Sequence, residues 1–329
     1  SPRVAPLPWR AAWHDALYAA ERGFYVTRGG PSAHFTTAAQ GPTGPVLADA
    51  LLRLWRRSCG SRDDHPPSVI VDVGAGRGEL ATALCELAPR VVAVDVVARP
   101  EGLDERIEWI RSPGGDALPD GESGLGDLTD ALVIAHEWLD VVPCTIAQVD
   151  AAGSLREVLV DTEGRESLGG LLSAADREWS QRYWPEVRPG RRVEIGRARD
   201  EAWAALVARV RDGLLVAVDY GHVQGERPDA GTLTAYVQGR QCDPVPDGTC
   251  DLTAHVAMDS LVHDDLVRQR DALRGLGVRG QIPDVAQAST DPHGYLAEVS
   301  RASAETQLLA RGGFGDFWWV VRHVLVSTS

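Results

Sequence analysis

Residues 69–78 read VIVDVGAGRG. A run of apolar β-formers passes directly into a glycine-rich turn. The following segment, Glu79–Leu87, has helical character, and a second β-rich run, Val91–Val94, ends in Asp95. Strand, glycine turn, helix, strand and acid in that order predict a βαβ unit of a parallel sheet. Glycine turns tightly and lets a ligand approach where a Cβ would block it. An acid at the end of the second strand can accept hydrogen bonds from a ribose diol. The unit is therefore expected to hold a nucleoside-bearing cofactor.

The turn discriminates between nucleosides. A dinucleotide fingerprint spaces its glycines G-x-G-x-x-G and seats a pyrophosphate at the helix N-terminus. Here Gly74, Gly76 and Gly78 alternate, so the third comes one residue early, and Glu79 follows at once. An acid there repels a dianion. It suits S-adenosylmethionine (SAM), whose sulfonium and amino group are positive and which carries no phosphate. Asp72, inside the strand end, adds a second negative charge. SAM is the expected cofactor; an ordinary βα turn is the plain alternative.

The chain has 329 residues and a formal net charge of −14, enough length for a full core and the wrong sign for a phosphate-backbone partner. Every basic side chain except histidine is arginine. The densest basic stretch, Arg188–Arg199, reads as a solvated loop and helix start. No apolar run approaches the ~18 residues of a membrane span. Cys59, Cys85, Cys144, Cys242 and Cys250 form no C-x-x-C pair, so neither zinc nor a disulfide framework is expected. The opening SPRVAPLPWR has no apolar h-region. A cytoplasmic protein is expected, with no nucleic-acid or membrane partner; the oligomeric state stays open.

Along the chain, residues 9–22 predict an amphipathic helix with Trp9, Trp13, Leu17 and Ala20 on one face. Phe24–Pro45 reads as a loop, and Leu47–Arg57 as a helix. Val69–Val73, Val91–Asp95, Ile107–Ile110, Ala131–Ala135, Leu214–Asp219 and Phe317–Val326 are the expected strands. Strands alternating with helices predict an α/β fold, a doubly wound and mostly parallel sheet with ligands at the strands' carboxyl ends. Four segments follow: an N-terminal helical extension and lid (1–60), a first part of the Rossmann-like cofactor domain (61–148), an insertion (149–210) and the remainder of that domain (211–329). The insertion carries Trp179, Tyr183 and Trp184 in a polar setting. It is either a cap over the site or a surface hairpin whose aromatics fill a small core. Asp251–Leu261 is expected to be a helix with Asp251 as N-cap.

Several motifs in fixed order resemble the MidA family of SAM-dependent methyltransferases: FYVTRGGPSAHFTTA (24–38), VDVGAGRGEL (71–80), HEWLDVVP (136–143), VEIG (193–196), LLVAVDYG (214–221), GTLTAYV (231–237) and DLTAHV (251–256). The resemblance runs from about residue 18 to 261. It implies a class I SAM methyltransferase fold. That family includes mitochondrial assembly factors for respiratory complex I that methylate a protein arginine. The chain departs from the family at Ala33-His34, where Gly-Asp is usual, at Ala39-Gln40, where Pro-Glu is usual, and at His136, where Asn is usual.

The residue types define a chemistry. Gly74, Gly76 and Gly78 would let the backbone pass the methionine end of SAM, and Asp95 would hold the ribose hydroxyls. Asp116 either reaches the adenine amino group or is a turn residue. Glu137 and Asp140 follow the fourth strand, and in a helix their spacing would place them on one face. Two carboxylates there would neutralise a guanidinium or amine, orient it and take up a proton; alternatively one of them caps a helix or pairs with an arginine. His136 is a base for a hydroxyl or amine, or a buried hydrogen-bonding residue. Asp219 and Tyr220 are expected to face the same cleft. His34, Thr36 and Thr37 are expected to form a lid by analogy with the family. Three functions fit: an N-methyltransferase acting on a protein or peptide arginine, a small-molecule N- or O-methyltransferase of specialised metabolism, and a non-catalytic SAM-binding assembly factor. An NAD-dependent oxidoreductase is a fourth and more remote fit.

Overall fold

A computed structural model describes residues 5–28, 37–58, 65–120, 125–186 and 188–325. Seven strands form the central sheet: β1 (Val69–Val73), β2 (Val91–Asp95), β3 (Ile107–Arg111), β4 (Ala131–His136), β5 (Gly213–Asp219), β6 (Asp265–Arg268) and β7 (Trp318–Val324). Their spatial order is β3-β2-β1-β4-β5-β7-β6. Strands β1 to β5 pair in parallel, and β7 runs antiparallel to both β5 and β6. The order reverses between β1 and β4, which opens a crevice at their carboxyl ends.

The strands read as continuous apolar runs because both sheet faces are covered. Ile70, Ala93, Ile134, Val216 and Trp319 pack against helices Thr43–Ser58, Glu79–Leu84, Gln269–Gly275 and Pro292–Leu309. The alternate residues Val71, Val92, Val133, Leu215 and Val320 pack on the other face with Trp203 of helix Arg197–Val207. Among the described residues no helix is long and apolar enough to cross a membrane.

A second, antiparallel sheet combines Leu7–Pro8, Thr145–Val149, Leu155–Val160, Glu166–Leu171 and Arg192–Ile195. Trp179 and Trp184 fill a small core with Leu172, Val193 and Ile195. The first helix, Trp9–Tyr18, lies between this sheet and the site, burying Trp9, Trp13 and Leu17. It stops at Tyr18, short of the expected end at residue 22, and Phe24–Arg28 forms a separate short helix.

The stretch 251–261 corrects its expectation. Asp251–Thr253 is a strand paired with Thr234–Val237, Val256–Ala257 pairs with Gly221–His222, and only Met258–Ser260 turns helically. Residues 251–258 are buried except at His255. A segment enclosed on all sides has no solvent face to support an amphipathic helix. Asp251 does not cap a helix; its Oδ1 accepts the Tyr25 hydroxyl at 2.6 Å. Strand β6 was not expected, because DLVR is short and charged at both ends.

Candidate cofactor and acceptor cleft

The crevice between β1 and β4 holds two adjoining lobes that share Tyr25, Gly74, Glu137 and Val141. One lobe, about 460 Å³, is lined by Tyr18, Val94, Asp95, Ser112, Gly114 and Trp138 among others. The other, about 520 Å³, is lined by Thr37, Asp72, Gly76, Glu79, His136 and Asp140 among others. The glycine turn forms the ridge between them. Gly74 has φ +75°, and a Cβ there would stand 2.9 Å from Cβ of Trp138. Gly76 has φ +61°, and its open side meets only a Glu79 oxygen, at 3.3 Å.

Asp95 ties β2 to this turn. Its Oδ2 accepts Gly76 N–H at 2.8 Å and its Oδ1 accepts Val97 N–H at 3.1 Å. Burial raises the Asp95 carboxyl to about 6, against the pull of those N–H groups. Asp72 points from β1 toward helix Glu79–Leu84. Burial raises it to about 7, and Asp95 and Glu79 push it further the same way. Its Oδ2 is buried without a hydrogen-bond partner.

The opposite wall is the turn after β4. Glu137 takes the left-handed conformation, φ +51°, which costs a non-glycine residue ~1–3 kcal/mol. Its N–H donates to Val218 O of β5 at 2.8 Å, and its Oε1 accepts Ala38 N–H at 3.2 Å. The turn swings the carboxylate into both lobes. Burial, reinforced by Asp140, raises it to about 8. His136 Nδ1 lies 3.5 Å from Glu137 Oε1, and its Nε2 is buried without a partner. Burial lowers this imidazole to about 4, so the ring is neutral near neutral pH.

Asp140 sits in the short helical turn Leu139–Val141. Its Oδ2 accepts Thr253 Oγ1 at 2.6 Å and also the Tyr220 hydroxyl, whereas its Oδ1 has no partner. Burial pushes its acidity down, while both hydroxyls and Arg199 pull the other way. Arg199 is 1% exposed and donates to three carbonyls, Asp140 O at 2.8 Å, Val142 O at 3.0 Å and His255 O at 2.7 Å. A buried guanidinium thus clamps the turn and supplies the positive charge beneath it.

The structure brings Asp72, Gly74, Gly76, Asp95, Thr37, His136, Glu137 and Asp140 to the cleft. The remaining expected site residues stand elsewhere. Asp219 lies behind the wall, its Oδ2 accepting the N–H groups of Leu139 and Asp140 at 3.0 and 3.1 Å. Tyr220 reaches Asp140 from the back. Gly78 caps helix Glu79–Leu84, where a Cβ would meet Leu103 at 2.8 Å. Asp116 pairs with Arg10 at 2.9 Å and lines a different cavity beside His14 and Glu157; Gly114 and Gly115 of its loop face the cleft instead. His34 and Thr36 lie outside the described residues. Glu137 and Asp140 share the cleft through a sharp turn, not through one helix face.

Sequence reasoning missed Tyr18, Tyr25, Trp138 and Arg199. The aromatics flank motifs already singled out, Tyr25 in the 24–38 segment and Trp138 between the two carboxylates, and that adjacency was the available signal. Arg199 hid among the arginines of 188–199. Its half-buried neighbours pair with acids, Arg191 with Glu186 at 2.8 Å, Arg192 with Glu166 at 2.7 Å and Arg197 with Asp176 at 2.7 Å.

A reversed parallel sheet, a glycine turn and an acid-lined crevice at the switch point define the class of SAM-dependent methyltransferases. The chain belongs to the family described as "Putative S-adenosyl-L-methionine-dependent methyltransferase", whose model matches residues 91–274. It is therefore a SAM-dependent methyltransferase. No curated protein matches it. A crystal structure of an uncharacterized protein from Burkholderia thailandensis superposes with a TM-score of 0.72 at 20% identity, covering 97% of this chain and 87% of that one. A second structure from Burkholderia thailandensis, bound to S-adenosyl-homocysteine, gives 0.70 at 21% identity, covering 96% and 87%. At these identities the likeness is one of fold.

Proposed function

We propose that the chain transfers the methyl group of SAM to a guanidinium nitrogen of an arginine in a protein or peptide. The observation that carries this reading is the acid lobe. Asp72 and Asp140 line it together with Glu137, and each keeps one buried carboxylate oxygen, Oδ2 and Oδ1 respectively, without a hydrogen-bond partner. Buried polar atoms are ordinarily paired, so these two await cationic or N–H-bearing ligands. The residues fit SAM. Asp72 would accept its ammonium, the backbone at Gly74 and Gly76 would pass its methionine end, and Asp95 keeps lone pairs for the ribose hydroxyls. Val94 and Trp138 would flank the adenine.

When bound, SAM supplies an electrophilic methyl group. Asp140 would accept N–H bonds from the acceptor through Oδ1 while Tyr220 and Thr253 hold Oδ2. Glu137, raised to about 8, would take the proton the acceptor nitrogen loses. A carboxylate with that affinity is better matched to proton uptake near neutral pH than an ordinary one. Thr37, which lines the same lobe, would exclude water from it. The division into an N-terminal extension, a split cofactor domain and an insertion at 149–210 remains part of this proposal.

A second reading rests on His136. Its neutral ring has an unpartnered Nε2 in the acid lobe, and a small hydroxyl or amine acceptor would use it as a hydrogen-bond partner. Methyl-labelled SAM, incubated with the protein and either arginine-containing peptides or small hydroxyl and amine acceptors, separates the two. Label on a peptide guanidinium supports the first; label on small acceptors alone replaces it with the second.

A further inference from the structure

The strand Asp251–Thr253 serves two walls of the cleft at once. Successive side chains of a strand alternate between its faces, so Asp251 and Thr253 share one. Thr253 Oγ1 donates to Asp140 Oδ2 at 2.6 Å, and Asp251 Oδ1 accepts the Tyr25 hydroxyl at 2.6 Å. Between them the Leu252 carbonyl accepts Trp13 Nε1–H at 3.1 Å, which fastens the first helix to the same strand. The Thr253 bond steadies the acceptor wall. The Asp251 bond steadies Tyr25.

Tyr25 stands where the two lobes meet, with Gly74, Glu137 and Val141. Asp251 is fully buried and is not among the described lining residues of either lobe. The Tyr25 O–H therefore points out of the cleft, toward the acid. Tyr18 and Phe24 flank the ring at 5.6 and 5.7 Å. The phenol keeps its proton, because burial, with Asp251 next, holds it well above its ordinary value. A hydroxyl oxygen whose hydrogen is committed to one partner offers only lone pairs to any other. Burial raises the Asp251 carboxyl to about 8, against the pull of that hydroxyl. Near neutral pH the acid is thus largely neutral and accepts through Oδ1 as a carbonyl oxygen does.

The covalent order of SAM determines which part of it reaches this junction. Its sulfur joins the ribose-bearing carbon to the amino-acid chain. With the ribose at Asp95 and the ammonium at Asp72, the sulfonium falls between them, where the lobes join. We propose that Asp251 is a positioning residue for methyl transfer that acts through Tyr25. It turns the phenol so that lone pairs, and not the positive end of the O–H dipole, meet the sulfonium and its methyl group. Carbon–hydrogen bonds beside a sulfonium are polarised, and weak C–H···O contacts to them gain from the charge. The inference rests on the SAM placement above and is independent of the acceptor.

The test is calorimetric titration with SAM and with S-adenosyl-homocysteine. The second ligand lacks both the methyl group and the charge, so the ratio of the two affinities isolates this contact. Tyr25→Phe and Asp251→Leu should each lower the preference for SAM over S-adenosyl-homocysteine by about three- to tenfold relative to the parent. Asp251→Asn keeps an accepting oxygen and should keep the parent's ratio. A merely structural role would weaken both ligands together, so equal weakening in Tyr25→Phe and Asp251→Leu overturns the proposal. An unchanged ratio in Tyr25→Phe overturns it too, as does a ratio in Asp251→Asn as low as in Asp251→Leu. Tyr25→Phe removes one oxygen and keeps the ring, so it decides the matter even if Asp251→Leu does not fold. Gly76→Val tests the SAM placement separately. If that variant binds SAM normally, placement and proposal fall together; if it loses SAM while Tyr25→Phe keeps the parent's ratio, the proposal falls alone.

Discussion

Replacing Asp72 by asparagine should make the protein without cofactor more stable and less able to bind SAM. The Asp72 carboxyl is buried and raised from an ordinary 3.8 to about 7. The folded chain therefore keeps its proton across a range where the unfolded chain has lost it. Between those two values rising pH removes stability, and above the upper one the full cost is present. Each tenfold difference in proton affinity between the folded and unfolded chain is worth about 1.4 kcal/mol. The cost is then ~2 kcal/mol at pH 5 and ~4 kcal/mol at pH 8. Asparagine has nearly the same shape and does not ionise, so it escapes this cost. The advantage of Asp72→Asn over the parent should grow by ~2–3 kcal/mol between pH 5 and pH 8, or ~3–4 °C in Tm for a chain of 329 residues. Any cost of the amide's own N–H groups is the same at both values and drops out of that difference. Removing the partner of the SAM ammonium should weaken binding by ~10- to 100-fold. Thermal unfolding at the two pH values and calorimetric titration with SAM read both quantities. An advantage that fails to grow with pH would refute the buried-charge argument. Unchanged SAM affinity would refute the assignment of Asp72 to the ammonium.

Other substitutions probe the remaining walls. Gly76→Val puts a β-branched residue at φ +61°, a genuine outlier for that side chain, and adds bulk on the ridge between the lobes. SAM binding should be lost in equilibrium dialysis, and normal affinity would displace the cofactor from the ridge. Glu137→Gln should leave SAM affinity intact and lower turnover by ~10²–10⁴-fold. In the parent, kcat/KM should rise with pH through about 8 as Glu137 ionises, and a profile unaltered by the substitution would remove Glu137 from its role. Arg199→Met strips a buried cation from three carbonyls and from beneath Asp140. A loss of ~3–5 kcal/mol in denaturant unfolding is expected, and a neutral result would mean that the surrounding acids hold their protons throughout.

What could be read from the chain followed from how many constraints each residue meets. Strand β1 was legible because VIVDV is covered on both faces and its periodicity admits few other roles. The glycine turn and Asp95 were legible together, since the backbone turn and the acid are defined relative to each other. β7 was legible as a strand from FWWVVRHVLV, but its antiparallel direction depends on which neighbours it pairs with, and no local pattern carries that. Asp219 looked like a cleft residue because it ends a strand at the crevice. Its carboxylate is instead consumed by the backbone of the next turn. Arg199 was indistinguishable from the neighbouring arginines because burial of a guanidinium depends on carbonyls contributed from residues 140, 142 and 255. Residues 251–261 carry the local pattern of a capped helix, but the pairing of 251–253 with 234–236 and of 256–257 with 221–222 depends on distant segments.

The left-handed backbone of Glu137 bears on how this protein could be redesigned. A procedure that ranks residues by conformational fit alone would exchange Glu137 for glycine, and the folded chain would gain by it. The same exchange would delete the carboxylate between the two lobes. Thermostable variants are thus best sought with this position held fixed, and a library in which it drifts to glycine would record selection for folding uncoupled from turnover.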